Sequence, residues 1–168
     1  DADEVLSLEL QEKIKSLEPN KFSGYRIKRN TYIFNRLFKY GGHAYDYPLR
    51  LFNKRKGARF HQPIHESLKI SGEIGFIKEP ILHYSFSTIN EYLYKLNLYT
   101  DLEARFLQEK NVAFSWYAMF FRPLAKFFQR YFLQLGFLDG KEGFIFYALS
   151  GMYEFVKWAK YWQQTKNN

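Results

Sequence analysis

The 168-residue sequence contains no cysteine, which excludes disulfide bridges and thiolate metal sites and fits a reducing compartment. Its first residues show no basic-then-apolar pattern, so no export segment is visible. Long apolar runs are missing too: the longest stretches without Asp, Glu, Lys, Arg or His, 111–121 and 143–153, have 11 residues each. A conventional transmembrane helix, which needs about 20 predominantly apolar residues, is not expected. The zinc-protease spacing HExxH is absent, and so is any RNA-recognition signature. Basic residues are spread along the chain, and with no such signature they do not point to nucleic acid.

Aromatic residues, by contrast, are abundant. The chain has 18 Phe, 14 Tyr and 3 Trp, 21% of the sequence, with a formal net charge of +8. Rings in this number must bury large faces against a core, a membrane or a partner, and the charge favours an anionic partner surface. Eighteen of the 35 aromatics fall between Phe114 and Trp162, among six Lys or Arg and only three Asp or Glu. Helices with aromatic residues on one side and basic ones on the other suit the headgroup boundary of an anionic membrane surface. A helical bundle packing the same rings inward is the competing expectation.

Periodicity predicts an α/β class, α+β in its segregation. Leu6, Leu10, Ile14 and Leu17 predict a helix opening directly from the acidic segment Asp1-Ala2-Asp3-Glu4 and ending at Pro19-Asn20. From Phe22 to Tyr84 short strands are expected at Tyr25/Ile27, Leu49/Leu51, Leu68/Ile70, Ile74/Phe76 and Ile81/Leu82. Thr88 and Glu91 have capping-box spacing ahead of a second helix, whose stripe Tyr92, Leu96, Tyr99, Leu102 and Phe106 is expected to be core. Pro123, Gly136 and Asp139-Gly140 are expected to divide the remainder into two or three helices. The organisation expected is a sheet-bearing part over residues 1–86 and a helical, membrane-surface-associated part over 87–168.

Several groups carry candidate chemistry. Asp1 and Asp3 offer hard oxygen ligands for Mg2+ or Mn2+, ions that also bind substrate phosphates. Two acids at a helix start also complement the helix dipole, and Glu4 fits either role. His61-Gln62-Pro63-Ile64-His65-Glu66 places two imidazoles and a carboxylate within six residues, with Glu66 a candidate general base. His83 is a core histidine or a further ligand. Arg50, between Leu49 and Leu51, points opposite to them and could reach phosphate oxygens, whereas Lys54, Arg55, Lys56 and Arg59 read as a solvated face.

Taken in order, Asp1-Ala2-Asp3-Glu4, Leu49-Arg50-Leu51-Phe52, His65-Glu66, Ile81-Leu82-His83-Tyr84-Ser85 and Gly136-Phe137-Leu138-Asp139-Gly140 resemble family 2 glycosyltransferases. The resemblance is to the bacterial subgroup related to lipopolysaccharide-core glucosyltransferases, from its acidic motif onward. It implies a GT-A fold and an inverting, metal-assisted transfer from a nucleotide-sugar donor to a glycolipid or lipopolysaccharide-core acceptor. Asp1 and Asp3 would then engage the metal and donor diphosphate. Glu66 would be the base, with Asp46 an alternative, and His65 would orient it. Arg50 and His83 would serve the phosphate and metal side. The resemblance further implies a cytoplasmic protein peripheral to the inner face of the bacterial cytoplasmic membrane. The strands that recognise the nucleotide precede the acidic motif in that family, so the 168 residues alone are expected to be inactive. A noncatalytic membrane-binding module and a metal-dependent hydrolase built on His61, His65, Glu66 and His83 are the other readings.

Overall fold

Ser7 separates two elements where the periodicity predicts one. In the computed structural model, residues Glu4–Leu6 form strand β1, and α1 (Leu8–Lys15) starts only after it. Ser7 is the N-cap, its hydroxyl accepting from the Leu10 amide at 3.2 Å. Leu6, expected to lead the helical stripe, is therefore an exposed strand residue, while Leu10 is fully buried. The acids at 3 and 4 do not flank the helix start, so their expected pairing with its dipole is replaced by a place in a sheet. The structure describes residues 2–18, 21–43, 45–53, 59–61 and 67–166, with 59–61 and 67–69 described by backbone alone. Asp1, Pro19-Asn20, residues 54–58 and residues 62–66, including His65 and Glu66, lie outside the described residues.

The class is mixed α/β, as expected. The remaining strands are β2 (Gly24–Ile33), β3 (Arg36–Leu37), β4 (Leu49–Phe52), β5 (Arg59–His61), β6 (Ser67–Lys69) and β7 (Ile74–Phe86). Among the described residues, five of the seven strands form one sheet in the order β1-β7-β2-β3, with β4 also paired to β2, and β5 and β6 form a separate antiparallel pair. The strands expected at Ile74/Phe76 and Ile81/Leu82 are one strand of 13 residues. Pro80 is tolerated inside it because it lies just past the last β1 pair, Leu6 with Ile81, while its carbonyl accepts from the Ser7 amide at 3.3 Å.

The chain divides into two compact units. The first comprises residues 1–31 and 45–84. Its core is Leu10, Ile27, Ile77 and Ile81, flanked by Ile14, Leu17, Tyr25 and Leu51, so α1 covers one sheet face. The second comprises residues 32–44 and 85–168 and carries α2 (Ile89–Glu109), α3 (Trp116–Phe128) and α4 (Gly140–Lys166).

The start of α2 matches its capping signal: the Thr88 hydroxyl accepts from the Glu91 amide, and the Glu91 carboxylate accepts from the Ser87 amide at 2.7 Å. Its buried stripe keeps Tyr92 and Leu96 of the expected one and then departs from it. Tyr92, Leu96, Thr100 and Ala104, spaced four apart, face inward, whereas Tyr99, Leu102 and Phe106 are exposed. The hydroxyl of Thr100 removes its own burial cost by donating to the Leu96 carbonyl at 2.7 Å. Pro123 does not divide the helices either; α3 runs through it. The break comes later, after a π-turn at Gln129–Leu133, where Leu135 adopts φ 58°. The segment 136–140 serves the architecture of this unit. Its Asp139, 2% exposed, accepts from the Lys39 and Tyr40 amides and from the Tyr147 hydroxyl.

Candidate functional site

The polar site of the first unit grows out of its apolar core. Along β2, Arg29 follows Ile27 by two residues, and along β7, His83 follows Ile81 by two, so alternation keeps each pair on one face. Antiparallel pairing sets Glu4 opposite His83. The Glu4 side chain, only 6% exposed, accepts from Arg50 Nε at 2.8 Å, Arg50 Nη2 at 2.8 Å and Arg29 Nη1 at 3.2 Å. Arg29 also donates from Nε to Asp46 at 2.7 Å. One arginine thus ties the two carboxylates together.

A β-bulge places Arg50 within reach. Tyr25 pairs with Leu51 but Arg26 with Leu49, which leaves Arg50 as the extra residue of β4. The bulge re-aims the guanidinium toward Glu4, and both of that carboxylate's oxygens are engaged by it. Burial by itself would raise the Glu4 pKa, but the hydrogen bonds and charges of Arg50 and Arg29 outweigh it and hold the group at about 2. The same contact, against some desolvation, raises Arg50 further.

Asp3 and His83 form the second element of the site. The β1–β7 ladder extends to Asp3, whose carbonyl accepts from the Tyr84 amide at 2.9 Å, and its carboxylate lies 3.4 Å from His83 Nε2. Burial, then the Arg29 charge, lowers the His83 pKa against the opposing influence of Asp3 and Glu4. The imidazole is therefore neutral near pH 7, the form in which histidine binds metals. Its Nδ1 is buried with no hydrogen-bond partner. Nε2 faces the Asp3 carboxylate and donates to it when it carries the proton, so a metal ion bound between the two would require the proton to move to Nδ1. An oxygen and a nitrogen donor at this spot suit Mn2+ better than Mg2+, which prefers oxygen alone. Among the described residues no three His, Asp or Glu side chains converge as a larger metal site.

Of the site residues expected from sequence, the structure brings together Asp3, Arg50, His83 and Asp46, with Arg50 directed at a carboxylate. Asp1, His65 and Glu66 lie outside the described residues. Arg29 escapes a reading of the sequence: in Arg26-Ile27-Lys28-Arg29 it looks like one more solvated base, and only strand register reveals it as the bridge. Glu4 reads as a ligand or dipole partner, and the two arginines that hold it are remote in sequence.

The chain is a distant homologue of bacterial glycosyltransferases. It is 27% identical over 203 residues to an uncharacterized glycosyltransferase of Rickettsia felis, across 100% of this chain and 70% of that protein. To the lipopolysaccharide core biosynthesis glycosyltransferase LpsC of Rhizobium meliloti it is 27% identical over 168 residues, across 98% of this chain and 62% of LpsC. An uncharacterized glycosyltransferase of Rickettsia conorii is 27% identical across 95% of this chain and 61% of its own length. The chain thus spans between 61% and 70% of these three relatives. No family model and no solved structure matches it.

Proposed function

We propose that this protein takes part in metal-assisted transfer of a sugar, with inversion, from a nucleotide-diphosphate donor to a glycolipid or lipopolysaccharide-core acceptor at an anionic membrane surface. The observation that carries the reading is the meeting of Asp3 with a neutral His83 beside the β1–β7 ladder. Homology to LpsC supplies the acceptor class. Assignment to family 2 and to a GT-A fold belongs to the same proposal and rests on the ordered motifs.

Asp3 and His83 would hold Mn2+ or Mg2+, joined by Asp1. The ion would neutralise the charge that develops on the departing diphosphate. Arg50 would reach the diphosphate only by exchanging the Glu4 carboxylate for phosphate oxygens. Glu66 is the proposed base for the acceptor hydroxyl, with His65 orienting it. Asp46 is less suited to that role, since its carboxylate is held by Arg29 at 2.7 Å.

Manganese titration by electron paramagnetic resonance tests the metal assignment, and transfer from a panel of nucleotide-diphosphate sugars to extracted lipopolysaccharide core tests the reaction. Asp3→Ala and His83→Ala should each weaken Mn2+ binding at least tenfold with the fold intact by circular dichroism. Unchanged Mn2+ affinity in both variants would remove these residues from the metal site. Product with retained anomeric configuration would rule out the inverting step.

A further inference from the structure

The second unit exposes rings that a bundle would be expected to bury. On α3, Trp116, Tyr117, Phe120, Phe121, Leu124 and Phe128 project from one side, and every one is more than half exposed. Their positions span about 140° of the helix circumference at 100° per residue, while Ala118 and Met119 face the interior. The exposed rings lie on one another: Trp116 stacks on Phe120 with interplanar angle 11°, and Tyr117 on Phe121 with centroids 4.8 Å apart.

The surface extends onto α4. Phe120 meets Phe155 at 6.1 Å, and Trp116 meets Trp162 at 6.1 Å. Lys166 holds its ammonium 4.2 Å over Trp162, so the edge at that end is basic and aromatic. Residues 111–138 include Arg122, Lys126 and Arg130 but no Asp or Glu, and of these Lys126 is paired with Glu154 of α4 at 2.7 Å. Among the described residues no helix is long and apolar enough to cross a membrane.

We propose that this joint face of α3 and α4 inserts into one leaflet of an anionic bilayer with both helices lying in its plane. Trp116, Trp162 and Lys166 would stand at the headgroup level. The proposal deepens the glycosyl-transfer reading, on which its biological purpose rests, by assigning the membrane partner to a defined surface. Two features favour lipid over a second copy of the chain. Apolar rings suit acyl chains without needing complementary shape, and an acid-free segment with a basic edge matches phosphate headgroups. The Trp and Tyr rings at one end suit an interface that is apolar on one side and wet on the other.

Flotation with vesicles of phosphatidylcholine containing 30 mol% phosphatidylglycerol tests the idea on the 168-residue chain. The protein should float, bind at least tenfold less to pure phosphatidylcholine, and show tryptophan quenching by lipids brominated on the upper acyl chain. The double variant Phe120→Ser, Leu124→Ser changes side chains exposed by 51% and 66%, so its circular dichroism should match the wild type. Its partition should fall at least tenfold. Wild-type protein that stays with the soluble fraction, or a variant that floats equally well, would overturn the proposal. So would sedimentation showing a dimer that the double variant dissociates, because a second copy would then occupy the face. None of these measurements involves a sugar donor, so failure of glycosyl transfer would register separately.

Discussion

Glu4 and His83 stand opposite each other across the β1–β7 ladder, although 79 positions separate them in the chain. That single pairing joins the acidic start of the sequence to the segment Ile81-Leu82-His83-Tyr84. It sets Asp3, one residue earlier, beside the imidazole, while Glu4 takes the two arginines. Neighbouring acids therefore do different work. Glu4 is a buried counter-ion, and Asp3 keeps a carboxylate beside a neutral nitrogen donor.

Glu4 should control the acid limb of stability. Its folded pKa of about 2 lies below the ordinary value of 4.5, so its contribution is complete above about pH 4.5 and is lost as pH falls toward 2. Glu4→Gln removes the charge between Arg50 and Arg29 and should cost about 2 kcal/mol at pH 7, since both guanidinium groups are only partly open to solvent. Urea denaturation at pH 7 and pH 3 should show a much smaller difference between variant and wild type at the lower pH. An equal difference at both would show that the carboxylate's charge is not what matters.

The bulge at Arg50 leads to a separate expectation. Arg50→Lys keeps the positive charge, but one ammonium cannot reproduce the two parallel contacts that Nε and Nη2 make to Glu4. The variant should lose about 1 kcal/mol of stability in urea denaturation. Carbon-detected NMR should also find the Glu4 carboxyl titrating at higher pH than in the wild type.

His83 should titrate below 6.5, because burial and Arg29 disfavour its charged form more than Asp3 and Glu4 favour it. The unfolded chain then takes up the proton first, so stability falls as pH drops through 6.5 toward the folded midpoint. Proton NMR of the imidazole should show the lowered midpoint directly. Asp3→Asn should lower it further and Arg29→Gln should raise it. Movement of both variants in the same direction would contradict the charge arrangement around the ring.

Much of the architecture is legible in the sequence because local signals and tertiary packing agree. The Thr88–Glu91 box starts α2 where expected, and the apolar alternation at Tyr25/Ile27 and Leu49/Leu51 marks real strands. The failures share a cause. Leu6 fits a helical stripe, yet three residues of sheet pairing outweigh that local fit, and Ser7 provides a cap that allows the switch. In α2 the burial of Thr100 and Ala104 in place of Tyr99 and Leu102 follows from which neighbours α4 presents, which no one-dimensional pattern contains. At the site, residue types are readable but their partners are not. The direction of Arg50 depends on one extra residue in β4, and the role of Arg29 depends on register. Asp3 and His83 are both metal candidates by residue type, and β1–β7 pairing supplies the proximity that sequence could not.

The Tyr147 ring offers the sharpest test of the second unit's packing, because two glycines clamp it from opposite edges. A Cβ on Gly41 would strike the hydroxyl and the Cζ–Cε1 edge, and one on Gly136 would strike Cε2 and also lie 2.6 Å from the Arg130 carbonyl. The ring cannot yield easily: it is fully buried, and its hydroxyl lies 2.9 Å from Asp139 Oδ2 and 3.0 Å from the Tyr40 carbonyl. Gly41 has φ +64°, so Gly41→Ala adds about 1–2 kcal/mol of left-handed strain to the clash. Gly136→Ala has the clash alone. Each variant should lose more than about 2 kcal/mol in urea denaturation. Once either methyl has displaced the ring, the other meets less resistance, so the double variant should fall short of additivity by about 1 kcal/mol or more. Strict additivity would mean that the two glycines do not act through Tyr147.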